Sequence, residues 1–204
     1  MPKFLLTITG PSGSGKTSIL HKLEKDYEVG RIVTCTTRPP RPKEKDGVDY
    51  NFITFDQYFD RISGMVAPVN FAGHRYGIWQ RDIYRLLRNH DVVAVIVDPT
   101  GAASLFSAIN GIDDVYVHNI YINIDPKTAL ARMAKRDGWK EAKKRQKADF
   151  EGGLYYDKLY EAAEKYDCIL NNDRKNSVRN IAYDIMNYVE AQKWSMETLN
   201  SLAG

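Results

Sequence analysis

Gly10-Pro11-Ser12-Gly13-Ser14-Gly15-Lys16-Thr17 ends one apolar run and opens an amphipathic one. Its order of residue types is that of a phosphate-binding loop, G-x-x-x-x-G-K-[ST]. Before it, residues 4–9 are apolar and partly β-branched, as a buried strand requires. After it, Ile19, Leu20 and Leu23 recur at helical spacing over residues 16–24. At ordinary residue frequencies the pattern arises by chance in roughly one chain of this length in a hundred, and the strand and helix around it make an accident rarer. Glycines in such a loop reach φ > 0 and let backbone N–H groups face phosphate oxygens. The helix N-terminus adds partial positive charge. Gly10, Ser12, Gly13, Ser14 and Gly15 are therefore expected to cradle the phosphates of ATP, Lys16 to reach the β and γ phosphates, and Thr17 to hold Mg²⁺ through its hydroxyl.

Outward from the loop, strand and helix patterns alternate. A second strand is expected over 31–37, a helix over 80–89, a buried strand over 92–97, a short helix over 102–109 and a strand over 115–124. Asp125 and Pro126 form an N-cap and first-turn proline for a helix reaching about residue 135. A basic stretch, 135–147, leads into an amphipathic segment ending near 166. A short strand at 168–170 and a closing helix over 177–191 follow, with the last dozen residues expected to fray. Between 38 and 84 the pattern changes to dense Pro, Lys and aromatic residues, which predicts a small inserted lobe with short strands. The expected class is α/β, a three-layer core with a parallel sheet, a mixed inserted lobe and a helical lid.

The 204 residues, 43% of them hydrophobic, suffice for one buried core. A net charge of +3 is too mild to predict a nucleic-acid partner. The longest strongly apolar run after the first strand, 92–97, is far short of a membrane span, and residues 4–9 are too short for the core of a signal peptide. Cys35 and Cys168 lie far apart in apolar, strand-like stretches and are expected to be buried free thiols. A cytoplasmic protein with no nucleic-acid or membrane partner is the expectation, as a monomer or homodimer.

After the second strand, Arg38 and Arg41 are framed by prolines and followed by Tyr50, a good fork for a second phosphate. The stretch matches Thr36, Thr37, Arg38, Arg41, Glu44, Gly47, Asp49, Tyr50 and Phe52 to a pattern T-T-R-x-x-R-x-G-E-x-x-G-x-D-Y-x-F, with Lys43 where that pattern has glycine. In this it resembles the guanylate kinase family. Residues 71–77 look like that family's F-x-G-x-x-Y-G, and Asn171-Asn172-Asp173 like its late N-D-D, so the resemblance runs from about 3 to 190. It implies a single domain over 1–204, with a core of 1–36, 86–134 and 151–193, an acceptor lobe of 37–85, a lid of 135–150 and a tail of 194–204. It implies transfer of the ATP γ-phosphoryl to a nucleoside monophosphate, (d)GMP being the family default, with ATP and Mg²⁺ required. Arg38, Arg41, Tyr50 and Tyr76 would hold the acceptor phosphate. Arg132, Arg136 and Arg145 would form the closing lid, Arg136 and Asn171 also meeting ATP, and Arg38 would share in catalysis with Lys16 and the lid arginines. Lys147 is an alternative to Arg145, because the spacing from Arg136 is shorter than the family's.

The basic stretch has a plainer reading as a solvated helix face; as a lid it would offset charge on the transferring group and exclude water. Guanine recognition in the family uses four polar contacts, of which Thr34 and Asp98 are present. Asp98 either faces the base or organises Mg²⁺ through water, or is simply a strand-end turn residue before Pro99. The acidic position falls on Ala67 and a hydroxyl position on Ile78. Losing both contacts would weaken guanine discrimination by roughly a hundredfold or more. Either Asn70, His74 or Trp79 replaces them, or the acceptor carries another base, ordinary or modified.

Overall fold

In a computed structural model of the protein, residues 2–42, 44–71, 73–109, 112–155, 165–172 and 177–203 are described. Along the chain run β1 (Lys3–Thr9), α1 (Lys16–Tyr27), β2 (Gly30–Arg31), β3 (Cys35–Thr36), β4 (Asn51–Phe52), α2 (Phe55–Asp60), β5 (Met65–Phe71), β6 (His74–Trp79) and α3 (Gln80–Asn89). Then come β7 (Val92–Ile96), α4 (Pro99–Ile109), β8 (Val115–Asn123), α5 (Pro126–Asp137), α6 (Trp139–Glu151), β9 (Cys168–Asn171) and α7 (Val178–Ala203).

Strand β1 takes a central place because both of its faces are buried: Phe4, Leu5, Leu6 and Ile8 are fully buried. Burying each such side chain contributes about 1.5–3 kcal/mol. Thr7 and Thr9 are buried as well, and their hydroxyls donate to Asn119 Oδ1 at 2.6 Å and to the Val97 carbonyl at 3.2 Å. The sheet order is β2-β7-β1-β8-β9, with every neighbouring pair parallel. Alternation along the strands then divides the core into two. Phe4, Leu6 and Ile8 pack with Ile19, Leu23, Ile181 and Ile185 of α1 and α7 on one face. Leu5, Val93 and Val95 pack with Ile83, Leu87, Leu105 and Ile109 of α3 and α4 on the other. The result is the three-layer α/β core that the alternating pattern implies.

A second, mixed sheet has the order β4-β3-β6-β5, with β3 parallel to β4 and antiparallel to β6. It is not a detached unit, since Val66, Ala67 and Ile78 join the cluster on the α3–α4 face of the parallel sheet.

Residues 31–37 do not form the single strand expected of them. Ile32 N–H still donates to the Ala94 carbonyl at 3.0 Å, but Cys35 and Thr36 pair with Gly77 and Tyr76 of the other sheet. Residues 33–34 carry the chain between two sheets, and a continuous β-branched run satisfies both equally. Helix α7 continues to Ala203 instead of fraying from residue 193, and Met196 packs against the α1–α7 core. The basic amphipathic stretch is two helices, broken at Gly138 (φ 85°). Its expected extension toward 166 falls partly on 156–164, outside the described residues, as do Lys43, Ala72 and Asp173. Cys35 is buried and Cys168 half-buried, both are free thiols, and burial pushes them up to about 12 and about 11. Among the described residues no helix is long and apolar enough to cross a membrane.

Candidate active site

In an open parallel sheet the carboxyl ends of the strands face a crevice. Here β1 ends in the glycine-rich loop, β7 ends two residues before Asp98, and β9 ends next to Asn172. A cavity of about 720 Å³ lies there, bordered by the loop, by the mixed sheet and by α5 and α6.

The loop is shaped by its glycines. Gly13 and Gly15 have φ of 82° and 94°. A Cβ on Gly13 would come within 2.7 Å of the Ala129 carbonyl, and one on Gly15 would overlap Asn172 Nδ2. Asn172 Nδ2 in turn donates to the Ser14 carbonyl at 2.6 Å, fastening the loop to the end of β9. Lys16 Nζ folds back over the loop and donates to the carbonyls of Gly10 and Pro11 at 2.6 and 2.8 Å. Burial lowers its ammonium to about 8; nearby Asp149 opposes the shift and Arg136 adds to it.

Across the cavity, Glu44 organises the two forked arginines. Arg38 Nη2 donates to both its oxygens at 3.0 and 2.8 Å, and Arg41 donates its backbone N–H at 2.8 Å and Nη1 at 3.3 Å. Arg38 also lies over the rings of Tyr50 and Phe52, 5.3 and 5.7 Å from their centroids. Tyr50 meets Tyr76 edge to face at 6.2 Å, and burial first, Tyr76 second, raise its phenol above the usual range.

Of the expected site residues, Gly10, Ser12, Gly13, Gly15, Lys16, Thr17, Thr34, Arg41, Tyr50, Tyr76, Ile78, Asp98, Arg132, Arg136 and Arg145 border this one cavity. Four do not. Arg38 is drawn aside by Glu44 and the two rings, its side chain only 10% exposed. Asn70 is exposed: Ala67 and Val69 border the cavity two residues apart, and alternation turns Asn70 out. Asn171 accepts from Asn123 Nδ2 at 2.6 Å at the strand end, and its neighbour Asn172 takes the place at the loop. The side chain of Ser14 is buried beneath the loop.

Ala67, Val69 and Ile78 present an apolar wall beside Thr34 and Asp98. His74 and Trp79 are not among the lining residues. Asp98 Oδ1 accepts the Gly101 N–H at 2.6 Å, so Asp98 caps α4 while bordering the cavity. Arg132 approaches the Gly13 and Asn172 carbonyls at 3.4 Å. Arg136 and Arg145 share Asp137, at 2.7 and 3.6 Å, and Arg136 holds that carboxyl below the usual range. Among the described residues no group of three or more His, Cys, Asp or Glu is arranged for a metal. The oxygen donors at hand, Thr17 and Asp98, fit Mg²⁺, which keeps waters and takes phosphate oxygens as ligands.

Three residues at the site have no role assigned from sequence. Glu44 is visible there only as part of a pattern. Asn172 lies beside the residue expected in its place. Asp149 accepts from Ser12 N–H at 2.8 Å and from Ser12 Oγ at 3.1 Å. The signal for Asp149 is helical spacing: two turns after buried Ala142, it falls on the face of α6 turned to the protein.

The sequence profile described as "Guanylate kinase" matches residues 3–191. The chain is 29% identical over 178 residues to a guanylate kinase of Chlamydia muridarum, covering 85% of this chain and 81% of that protein. It is 36% identical over 104 residues to one from Thermosynechococcus vestitus, which spans 50% of this chain and about half, 54%, of the relative. Among solved structures, guanylate kinase from Anaplasma phagocytophilum superposes with a TM-score of 0.68 at 19% identity, over 94% of this chain and 86% of the other, a likeness of fold.

Proposed function

Because the chain belongs to the guanylate kinase family, we propose that it transfers the γ-phosphoryl group of ATP to a nucleoside monophosphate, giving ADP and a nucleoside diphosphate. The observation that carries this reading is a single cavity with a phosphate loop on one side and a second phosphate fork, Arg41 with Tyr50 and Tyr76, on the other. An oxygen of the acceptor phosphate forms a bond to the γ-phosphorus as the bond to the bridging oxygen breaks. The acceptor oxygen is already ionised, so positioning and charge stabilisation matter more than a general base. Lys16 and the loop N–H groups orient the donor. Arg41, itself fixed by Glu44, orients the acceptor, and Arg38 acts through Glu44 and Tyr50. Arg132, Arg136 and Arg145 border the space between and offset charge on the moving group. Mg²⁺, held through Thr17 and through water by Asp98, would supply charge neutralisation at the phosphates.

The family default acceptor is (d)GMP. The apolar wall of Ala67, Val69 and Ile78 favours a second reading, the same chemistry on a deoxynucleotide with a different or modified base, since an apolar group facing a polar base edge costs desolvation energy. An ATP-coupled screen over the common and modified (d)NMPs tests both. Turnover of at least one is expected, and the preferred base chooses between the readings. No turnover of any, together with unchanged ATP affinity in Lys16→Ala, would mean a non-catalytic binding module.

A further inference from the structure

The carboxylate of Asp149 occupies a position that an anion from outside would also seek. Helix α6 delivers it to the phosphate loop, where Ser12 donates to both of its oxygens at 2.8 and 3.1 Å. Asp149 is 1% exposed and borders the cavity together with Ser12 and Lys16. A buried carboxylate is costly unless hydrogen-bonded and paired. Here the loop supplies the hydrogen bonds and Lys16 the opposite charge, and burial nonetheless leaves the acid more easily protonated than usual. Arg132 and Arg136 on α5 and Arg145 on α6 border the same cavity.

A backbone N–H of the loop, a lysine and several arginines are what the terminal phosphate of a nucleoside triphosphate would use. Two anions a few ångströms apart in a partly desolvated site repel one another strongly. We propose that Asp149 is an internal competitor of the donor's terminal phosphate: it ties α6 to the loop through Ser12, and a triphosphate must displace it to engage the same N–H. Donor binding is thereby coupled to a shift of α6, whose side chains include Arg145. This deepens, and rests on, the reading of the loop as an ATP site.

The test is calorimetric binding of ATP and of AMP, which lacks the outer phosphates, to the full chain and to Asp149→Asn and Asp149→Ser at about pH 7. Asn keeps the shape and an acceptor for Ser12 but removes the charge; Ser is a second neutral variant, so the result does not hang on one substitution. ATP is expected to bind roughly tenfold more tightly to the neutral variants, with AMP unchanged. If the unaltered protein binds ATP and the variants bind it equally or more weakly, Asp149 merely supports the loop and the competition is overturned. If none of the three binds ATP, the ATP-site reading and this proposal fall together.

Discussion

Lys16 is the residue whose chemistry can be followed most directly with pH. Burial lowers it to about 8, with Asp149 opposing and Arg136 reinforcing the shift. Bound phosphates favour the ammonium form, so its pKa in the complex lies above that in the free protein. Affinity for ATP is therefore retained below about pH 8 and falls above it, by up to about tenfold per pH unit until the pKa of the complex is reached. Calorimetric titrations between about pH 7 and about pH 9.5 check this, and a flat profile would remove Lys16 from the phosphate contact. The residue types of the loop are legible in the sequence because the chemistry dictates them: only glycine fits where a Cβ would meet the Ala129 carbonyl. Asp149 is not, because an acid amid lysines reads as surface until the helix face it occupies is known. Arg38 is legible as a phosphate-binding type, yet which of two arginines reaches the cavity depends on Glu44, which takes both as partners.

Elements are most readable where period and punctuation agree. Helix α3 spans the residues its pattern predicts, and Asp125 caps α5 by accepting from Thr128 N–H at 2.8 Å. Reading fails where an element's partner decides its extent, as when residues 31–37 divide between two sheets, or when Met196 extends α7 by packing on the core. Asn70 departs from expectation for a local reason: Ala67 and Val69, two residues apart, both border the cavity, and strand alternation turns the next residue away. The junction of loop and α1 makes the sharpest element-scale prediction. Gly15 is the N-cap of α1 at φ 94°, and its missing Cβ is what lets Asn172 reach the Ser14 carbonyl. Gly15→Ala is expected to cost about 1–3 kcal/mol of stability from backbone strain, more if the Asn172 contact is lost, and to remove measurable ATP binding. Denaturant unfolding and ATP titration of the variant check both parts; wild-type affinity in this variant would show that the loop needs no such conformation.

At the scale of the whole molecule, the mixed sheet and the parallel sheet share one apolar cluster, in which Val66 and Ile78 pack with Leu5 and Leu105. The sequence pattern separates an inserted lobe from a core by composition, whereas burial joins them, because an apolar residue's neighbours are not written in its own segment. The cavity lies between the two sheets and draws its walls from both. A ligand that binds only the folded chain must therefore stabilise both together, and unfolding is expected as one transition that moves as a unit. At a concentration about 100 times its Kd, a nucleotide adds about 2.7 kcal/mol. In a chain of this size each kcal/mol raises Tm by roughly 2–4 °C. ATP with Mg²⁺ is therefore expected to raise the single midpoint by roughly 5–10 °C, and Lys16→Met to abolish most of the shift. Calorimetric scans of both proteins check it. Two transitions, of which ATP moved only one, would mean that the shared cluster does not couple the sheets, and that the two sides of the cavity answer to their ligands separately.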